Sequence, residues 1–129
     1  MKPGGPRILV VDDDPDMKDA LAGMIQSEGW SFYEASTVEE ALAAVSDVEP
    51  DVIVLEPRTE GGNCESLLVT LRRDNEWIPV LLHTSEPAVD EQYALEHGAS
   101  GLERKPEGME GLKTRIAKLL DSQQTDRPL

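Results

Sequence analysis

The chain has 129 residues, 39% of them hydrophobic, which suits one domain around one core and leaves no room for a second. Its 26 Asp and Glu against 12 Lys and Arg give a formal charge of −14, so phosphate backbones and anionic membrane surfaces are repelled, which argues against nucleic-acid or membrane binding. The sole cysteine, Cys64, has no intramolecular disulfide partner, and neither a secretory h-region nor an apolar run of spanning length is present, so the expected location is the cytoplasm.

In chain order, Met1 to Pro6 is Pro/Gly-rich and reads as a flexible tail, and the folded unit is expected from Arg7 to Leu120. Ile8-Leu9-Val10-Val11 is a strand apolar without alternation, as strands of a parallel sheet buried on both faces are. Asp14 before Pro15 is an N-cap followed by proline at the first helical position, and Met17, Leu21, Met24 and Ile25 share one helical face ahead of the terminator Gly29. A weaker strand, Ser31 to Ala35, leads to Ser36 and Glu39 at capping-box spacing and a helix whose apolar face is Val38, Ala41, Leu42 and Val45. Val52 to Leu55 is a second buried strand, followed by a helix over roughly Glu65 to Asn75. Val80-Leu81-Leu82 is a third, followed by a helix over roughly Val89 to His97 that Gly98 ends. Gly101 to Arg104 is an edge strand, Leu112, Ile116, Leu119 and Leu120 line a last helix, and Asp121 to Leu129 reads as a second flexible tail. Five strand and helix pairs in strict alternation predict an α/β fold with a doubly wound, five-stranded parallel sheet and helices on both faces.

In such sheets functional groups gather beyond the carboxyl ends of the strands. Those ends offer Asp12 and Asp13 after the first strand, Glu56 after the third, Thr84 and Ser85 after the fourth, and Lys105 after the fifth. Carboxylates brought together repel, and a hard divalent cation such as Mg2+ relieves that repulsion. A lysine and a hydroxyl beside them suit the oxygens of a phosphoryl group.

At these residues the chain resembles the receiver domain of response regulators, of the chemotaxis-regulator type with a flavodoxin-like fold. The matching segments are Ile8 to Pro15, Pro50 to Glu56, Ile78 to Thr84, Ala94 to Gly101 and Lys105-Pro106, and together they cover nearly all of Arg7 to Leu120. The resemblance implies a two-component phosphorelay module and not an enzyme, with a histidine kinase or a downstream effector as partner. It implies that Asp13 ligates Mg2+ directly, Asp12 helps through water, and the backbone carbonyl of Arg58 completes the set. Thr84 is then the hydroxyl that follows the phosphoryl group, Lys105 its cationic partner, and Leu102 stands where many receivers carry a switching aromatic residue.

Glu56 occupies the position of the aspartate that accepts phosphate, and this is the departure from the family. Asp51 cannot substitute, since five strand residues at about 3.3 Å each put it roughly 16 Å away. The loop Pro57-Arg58-Thr59-Glu60-Gly61-Gly62 also lacks the usual Met-Pro pair. A longer carboxylate reaching Lys105 makes an internal ion pair and a partial imitation of phosphoaspartate. The favoured expectation is an atypical receiver that signals by docking through the face of its fourth helix, fifth strand and fifth helix, with Mg2+ bound weakly or not at all. Phosphorylation at Glu56 or a nearby acid is the alternative, and a homodimer is left open. A third reading, from the likeness of Asp12 and Asp14 to the acid pair of haloacid-dehalogenase phosphatases, is opposed by Pro15 and Asp16 in the following turn. His83 is expected to be a hydrogen-bonded core residue, His97 a helix C-terminal cation, and Trp30, Trp77 and Tyr93 packing residues.

Overall fold

The computed structural model describes residues 5–58, 64–74, 78–105 and 109–126, with the side chains of 64 and 123–126 excepted. Trp77, Asn75, Pro106 and the 59–62 part of the altered loop lie outside them. The elements are β1 (Arg7–Val11), α1 (Pro15–Ser27), β2 (Ser31–Ala35), α2 (Val38–Val48), β3 (Val52–Leu55), α3 (Cys64–Asp74), β4 (Val80–Thr84), α4 (Glu91–Glu96), β5 (Gly101–Arg104) and α5 (Met109–Asp126). The strands form one sheet in the order β2-β1-β3-β4-β5, each adjacent pair parallel, as the alternation of elements predicts. The order reverses between β1 and β3, and that switch point opens a crevice at their carboxyl ends.

The unbroken apolar runs are buried because both sheet faces are covered. By strand alternation Ile8, Val10, Val52, Val54 and Leu81 turn to one side, where they meet Leu21 and Ile25 of α1 and Leu112, Ile116 and Leu120 of α5. Leu9, Val11, Ile53, Leu55, Val80 and Leu82 turn to the other and pack with Ala41 and Val45 of α2, Leu67, Leu68 and Leu71 of α3 and Ala94 of α4. Each fully buried Leu or Ile stabilises the fold by about 1.5–3 kcal/mol.

Asp14 caps α1 as expected, its carboxylate accepting from the N–H groups of Asp16 and Met17, with Pro15 at the first position. The cap of α2 lies one residue later than Ser36 and Glu39: Thr37 accepts from the Glu40 N–H, and the Glu40 carboxylate accepts from the Ser36 N–H. The Ser36 hydroxyl has another task, since it accepts from the buried Lys18 ammonium. The terminators Gly29 and Gly98 have φ of 82° and 87°, the left-handed region expected of them. Pro6 is held, its carbonyl accepting from the Ser31 N–H at 2.8 Å, and α5 continues beyond the expected end at Leu120 to Asp126.

Arg72 on α3 ties the far side of the sheet together. Its Nε and Nη2 donate to the Gly98 carbonyl at 2.9 and 2.7 Å, and Nη1 donates to the Ile78 carbonyl at 2.8 Å. Burial lowers the Arg72 pKa, yet the group stays a cation. Arg72→Ala is expected to cost about 2 kcal/mol in urea unfolding, since charge-assisted bonds to two backbone carbonyls are lost. Arg72→Lys should recover less than half of it, because one ammonium cannot fork to both carbonyls.

Candidate functional site

The sheet ladder itself positions the three charged groups at the crevice. The Asp12 N–H continues the β1–β2 ladder to the Ala35 carbonyl at 3.0 Å, the Glu56 N–H reaches the Val11 carbonyl at 2.9 Å, and the Lys105 N–H reaches the Thr84 carbonyl at 3.0 Å. Their side chains converge: the Lys105 ammonium donates to Asp12 Oδ2 at 2.6 Å and to Glu56 Oε1 at 3.1 Å. All three are well covered, with side-chain exposures of 12% for Lys105, 3% for Asp12 and 13% for Glu56. Burial alone lowers the Lys105 pKa, but the hydrogen bond to Asp12 and the charges of Asp12 and Glu56 outweigh it, and the net shift is upward. Lys105 is therefore held as a cation between the two carboxylates.

The remaining oxygens are also engaged. Asp12 Oδ1 accepts from the Asp14 N–H at 2.9 Å, and Glu56 Oε2 accepts from the Arg58 N–H at 3.2 Å. Asp13 is exposed at the rim. Thr84 is buried at the end of β4, and its hydroxyl accepts from the Glu86 N–H at 3.1 Å. Leu102 is 8% exposed and belongs to the core facing α2, α3 and α4. Asp51 lies at the opposite end of the sheet, its carboxylate accepting from the Arg7 N–H at 2.8 Å, as strand length requires.

A divalent cation would have to compete with the Lys105 ammonium and with backbone N–H groups for the crevice carboxylates. Asp12 and Glu56 each give one oxygen to the Lys105 ammonium and the other to a backbone N–H, so the ammonium offsets one of their two negative charges. Among the described residues no group of three or more His, Cys, Asp or Glu side chains is placed to hold a metal ion.

Sequence reasoning passed over Glu86, two residues after Thr84. Its carboxylate pairs with Arg58 at 2.9 Å and its carbonyl accepts from Arg104 at 2.7 Å. The signal available was an acid next to the hydroxyl position with arginines at the ends of β3 and β5. The aromatic assignments hold for Trp30, which packs against the core facing α1 and α5. Tyr93 is packed against the other core and stacks on His97 at 4.0 Å, and its hydroxyl donates to Glu65 across the α3–α4 junction. His97 stands at the C-cap of α4, its backbone N–H donating to the Tyr93 and Ala94 carbonyls at 3.1 and 3.2 Å.

His83 is buried at 3% exposure, but its Nδ1 has no hydrogen-bond partner among the described residues, so the expected core hydrogen bond at that atom is not made. Burial first, and then the Lys105 charge, lower its pKa from 6.5 to about 4 against an opposing pull from Asp12. Between those values the unfolded chain takes up a proton that the folded chain refuses, so stability falls as pH falls through that window. Above 6.5 neither state holds the proton and the contribution is fully present. Relative to a His83→Leu variant, the wild type should lose on the order of 3 kcal/mol between pH 7 and pH 4, measured by denaturant titration.

The model of the response regulator receiver domain matches residues 8–117. The probable transcriptional regulatory protein TcrX of Mycobacterium tuberculosis is 33% identical over 114 residues, covering 88% of this chain and 49% of TcrX. The DNA-binding response regulator MtrA of Mycolicibacterium smegmatis is 33% identical over 110 residues, covering 85% of this chain and 48% of MtrA. The chain thus spans about half the length of these curated relatives. Among solved structures, the response regulator TrrA of Thermotoga maritima, in complex with Mg(2+)-BeF, superposes with a TM-score of 0.80 at 25% identity, covering 88% of this chain and 98% of that one. A five-stranded sheet with this order, a crevice lined by Asp12, Glu56 and Lys105, and a family match over residues 8–117 together place the chain in the response regulator receiver family.

Proposed function

We propose that this receiver signals by docking to protein partners, in a conformation held by its own ion pairs and without phosphoryl transfer. The observation that carries the reading is the Lys105 ammonium shared between Asp12 and Glu56. Glutamate at the acceptor position is one methylene longer than aspartate, and its carboxylate rests on the cation that would otherwise meet a phosphoryl group. Thr84, Lys105 and Leu102 then serve as fixed parts of the fold, and the ligands expected for a cation, Asp12, Asp13 and the Arg58 carbonyl, bind one weakly or not at all. Titration with Mg2+ followed by calorimetry should show binding weaker than millimolar or none, and millimolar or tighter affinity would count against the reading.

The partner is a histidine kinase or a downstream effector, met on the face of α4, β5 and α5, with a second copy of the chain as the other candidate for that face. Arg115 of α5 pairs with Glu91 of α4 at 3.3 Å and Glu103 of β5 at 2.9 Å, which joins the three elements into one surface, and Leu95 of α4 is 58% exposed on it. MtrA is a DNA-binding regulator about twice this length; in this chain the charge of −14 opposes contact with nucleic acid. Receivers are signalling modules, and we assign the chain no catalytic residue. Among the described residues no helix is long and apolar enough to cross a membrane. The test is intact-mass spectrometry after incubation with acetyl phosphate and Mg2+: an unchanged mass is expected, and a phosphorylated wild-type chain overturns the proposal.

A further inference from the structure

Glu86 spends every polar group it has on a different neighbour. Its N–H donates to Thr84 Oγ1 at 3.1 Å, and its carbonyl accepts from Arg104 at 2.7 Å and from the Val89 N–H at 3.1 Å. Its Oε2 pairs with Arg58 at 2.9 Å and its Oε1 accepts from the Ala88 N–H at 3.4 Å. Arg58 in turn donates its backbone N–H to Glu56 Oε2 at 3.2 Å. An unbroken path of polar contacts therefore runs from the Glu56 carboxylate through Arg58 and Glu86 to the Thr84 hydroxyl and the end of β5.

We infer that the Arg58–Glu86 pair is a latch that couples the segment after β3 to the segment between β4 and α4, so that the state of Glu56 is felt at α4 with no phosphoryl group. The inference rests on the phosphorylation-independent reading and names its means of regulation. Residues 85–90 are irregular backbone ahead of a helix of only six residues, a part of the fold that opens at low cost. A segment so lightly held responds to one contact. The Arg58 side chain is 70% exposed and that of Glu86 25%, so the pair shifts an opening equilibrium by a factor of up to about five and weakens with salt. Because coupling is reciprocal, a partner that draws Arg58 away loosens α4, and a partner that pulls α4 loose releases Arg58.

Hydrogen exchange on the whole chain tests this. In Arg58→Ala the amides of Glu86 and Val89 are expected to exchange about two- to fivefold faster, although Arg58 lies in a different loop, while the strand amides keep their rates. Arg58→Lys should return most of the protection, and raising salt in the wild type should reproduce the loss. Unchanged exchange at Glu86 and Val89 in Arg58→Ala overturns the latch, and so does acceleration spread evenly over the strands, which marks global destabilisation. Phosphorylation of the wild type by acetyl phosphate would instead remove the phosphorylation-independent reading, and the exchange result would judge the latch separately.

Discussion

Incubated with Mg2+ and acetyl phosphate, the Glu56→Asp variant is expected to accept a phosphoryl group that the wild-type chain does not, with a gain in rate of about a hundredfold or more. In-line attack needs the carboxylate oxygen placed to a fraction of an ångström, and misplacement by about 1 Å costs on the order of a hundredfold. The extra methylene of Glu56 produces a shift of that size. Both of its oxygens are also held, one by Lys105 at 3.1 Å and the other by the Arg58 N–H at 3.2 Å, so neither points freely into the crevice. Shortening the side chain withdraws it from Lys105 and returns that ammonium to the phosphoryl oxygens, beside the Thr84 hydroxyl, whose own proton is free to donate once the Glu86 N–H is accepted. A glutamyl phosphate is chemically sound, so the barrier in the wild type is one of placement. Peptide mapping that found phosphate on wild-type Glu56 would sink the argument, and a Glu56→Asp variant as inert as the wild type would shift the blame to the loop around Arg58.

The parts of this fold legible in the sequence are those where burial leaves a mark on composition. β1, β3 and β4 are continuous apolar runs because helices cover both faces, and that is why Asp12, Glu56 and Thr84 could be placed at one edge from strand ends alone. What composition does not record is the competition between polar groups. Ser36 and Thr37 are equally good caps by spacing, and it is Thr37 that caps while the Ser36 hydroxyl accepts from Lys18, far away in the chain. Glu49 adopts φ 54° at the end of α2 with no glycine to announce it. The last turns of α5 carry no apolar period beyond Leu120, yet Gln and Ser extend a helix once it is nucleated, so the element outran its pattern. Glu86 was passed over for a related reason: its value lies in Arg58 and Arg104, which the topology brings to it from other strand ends.

Lys105→Met should be the most destabilising single change in the crevice, costing about 3–5 kcal/mol in denaturant unfolding at neutral pH. The substitution is nearly isosteric, so little packing is lost and the effect reports charge. Without the ammonium, Asp12 and Glu56 face each other with side-chain exposures of only 3% and 13%, too covered for water to screen them. A surface pair would cost far less on removal, on the order of 1 kcal/mol, and the size of the loss therefore measures how closed the crevice is. Adding Glu56→Gln to Lys105→Met removes one of the two repelling charges and should recover a large part of the stability, so that the two changes together cost less than their separate costs added. Mg2+ should then raise the melting temperature of Lys105→Met while leaving the wild type unmoved, because only in the variant are two carboxylates waiting for a cation. A Lys105→Met chain within about 1 kcal/mol of the wild type would mean that the ion pairs do not hold this crevice shut, and the case for a receiver set by its own charges would fail with it.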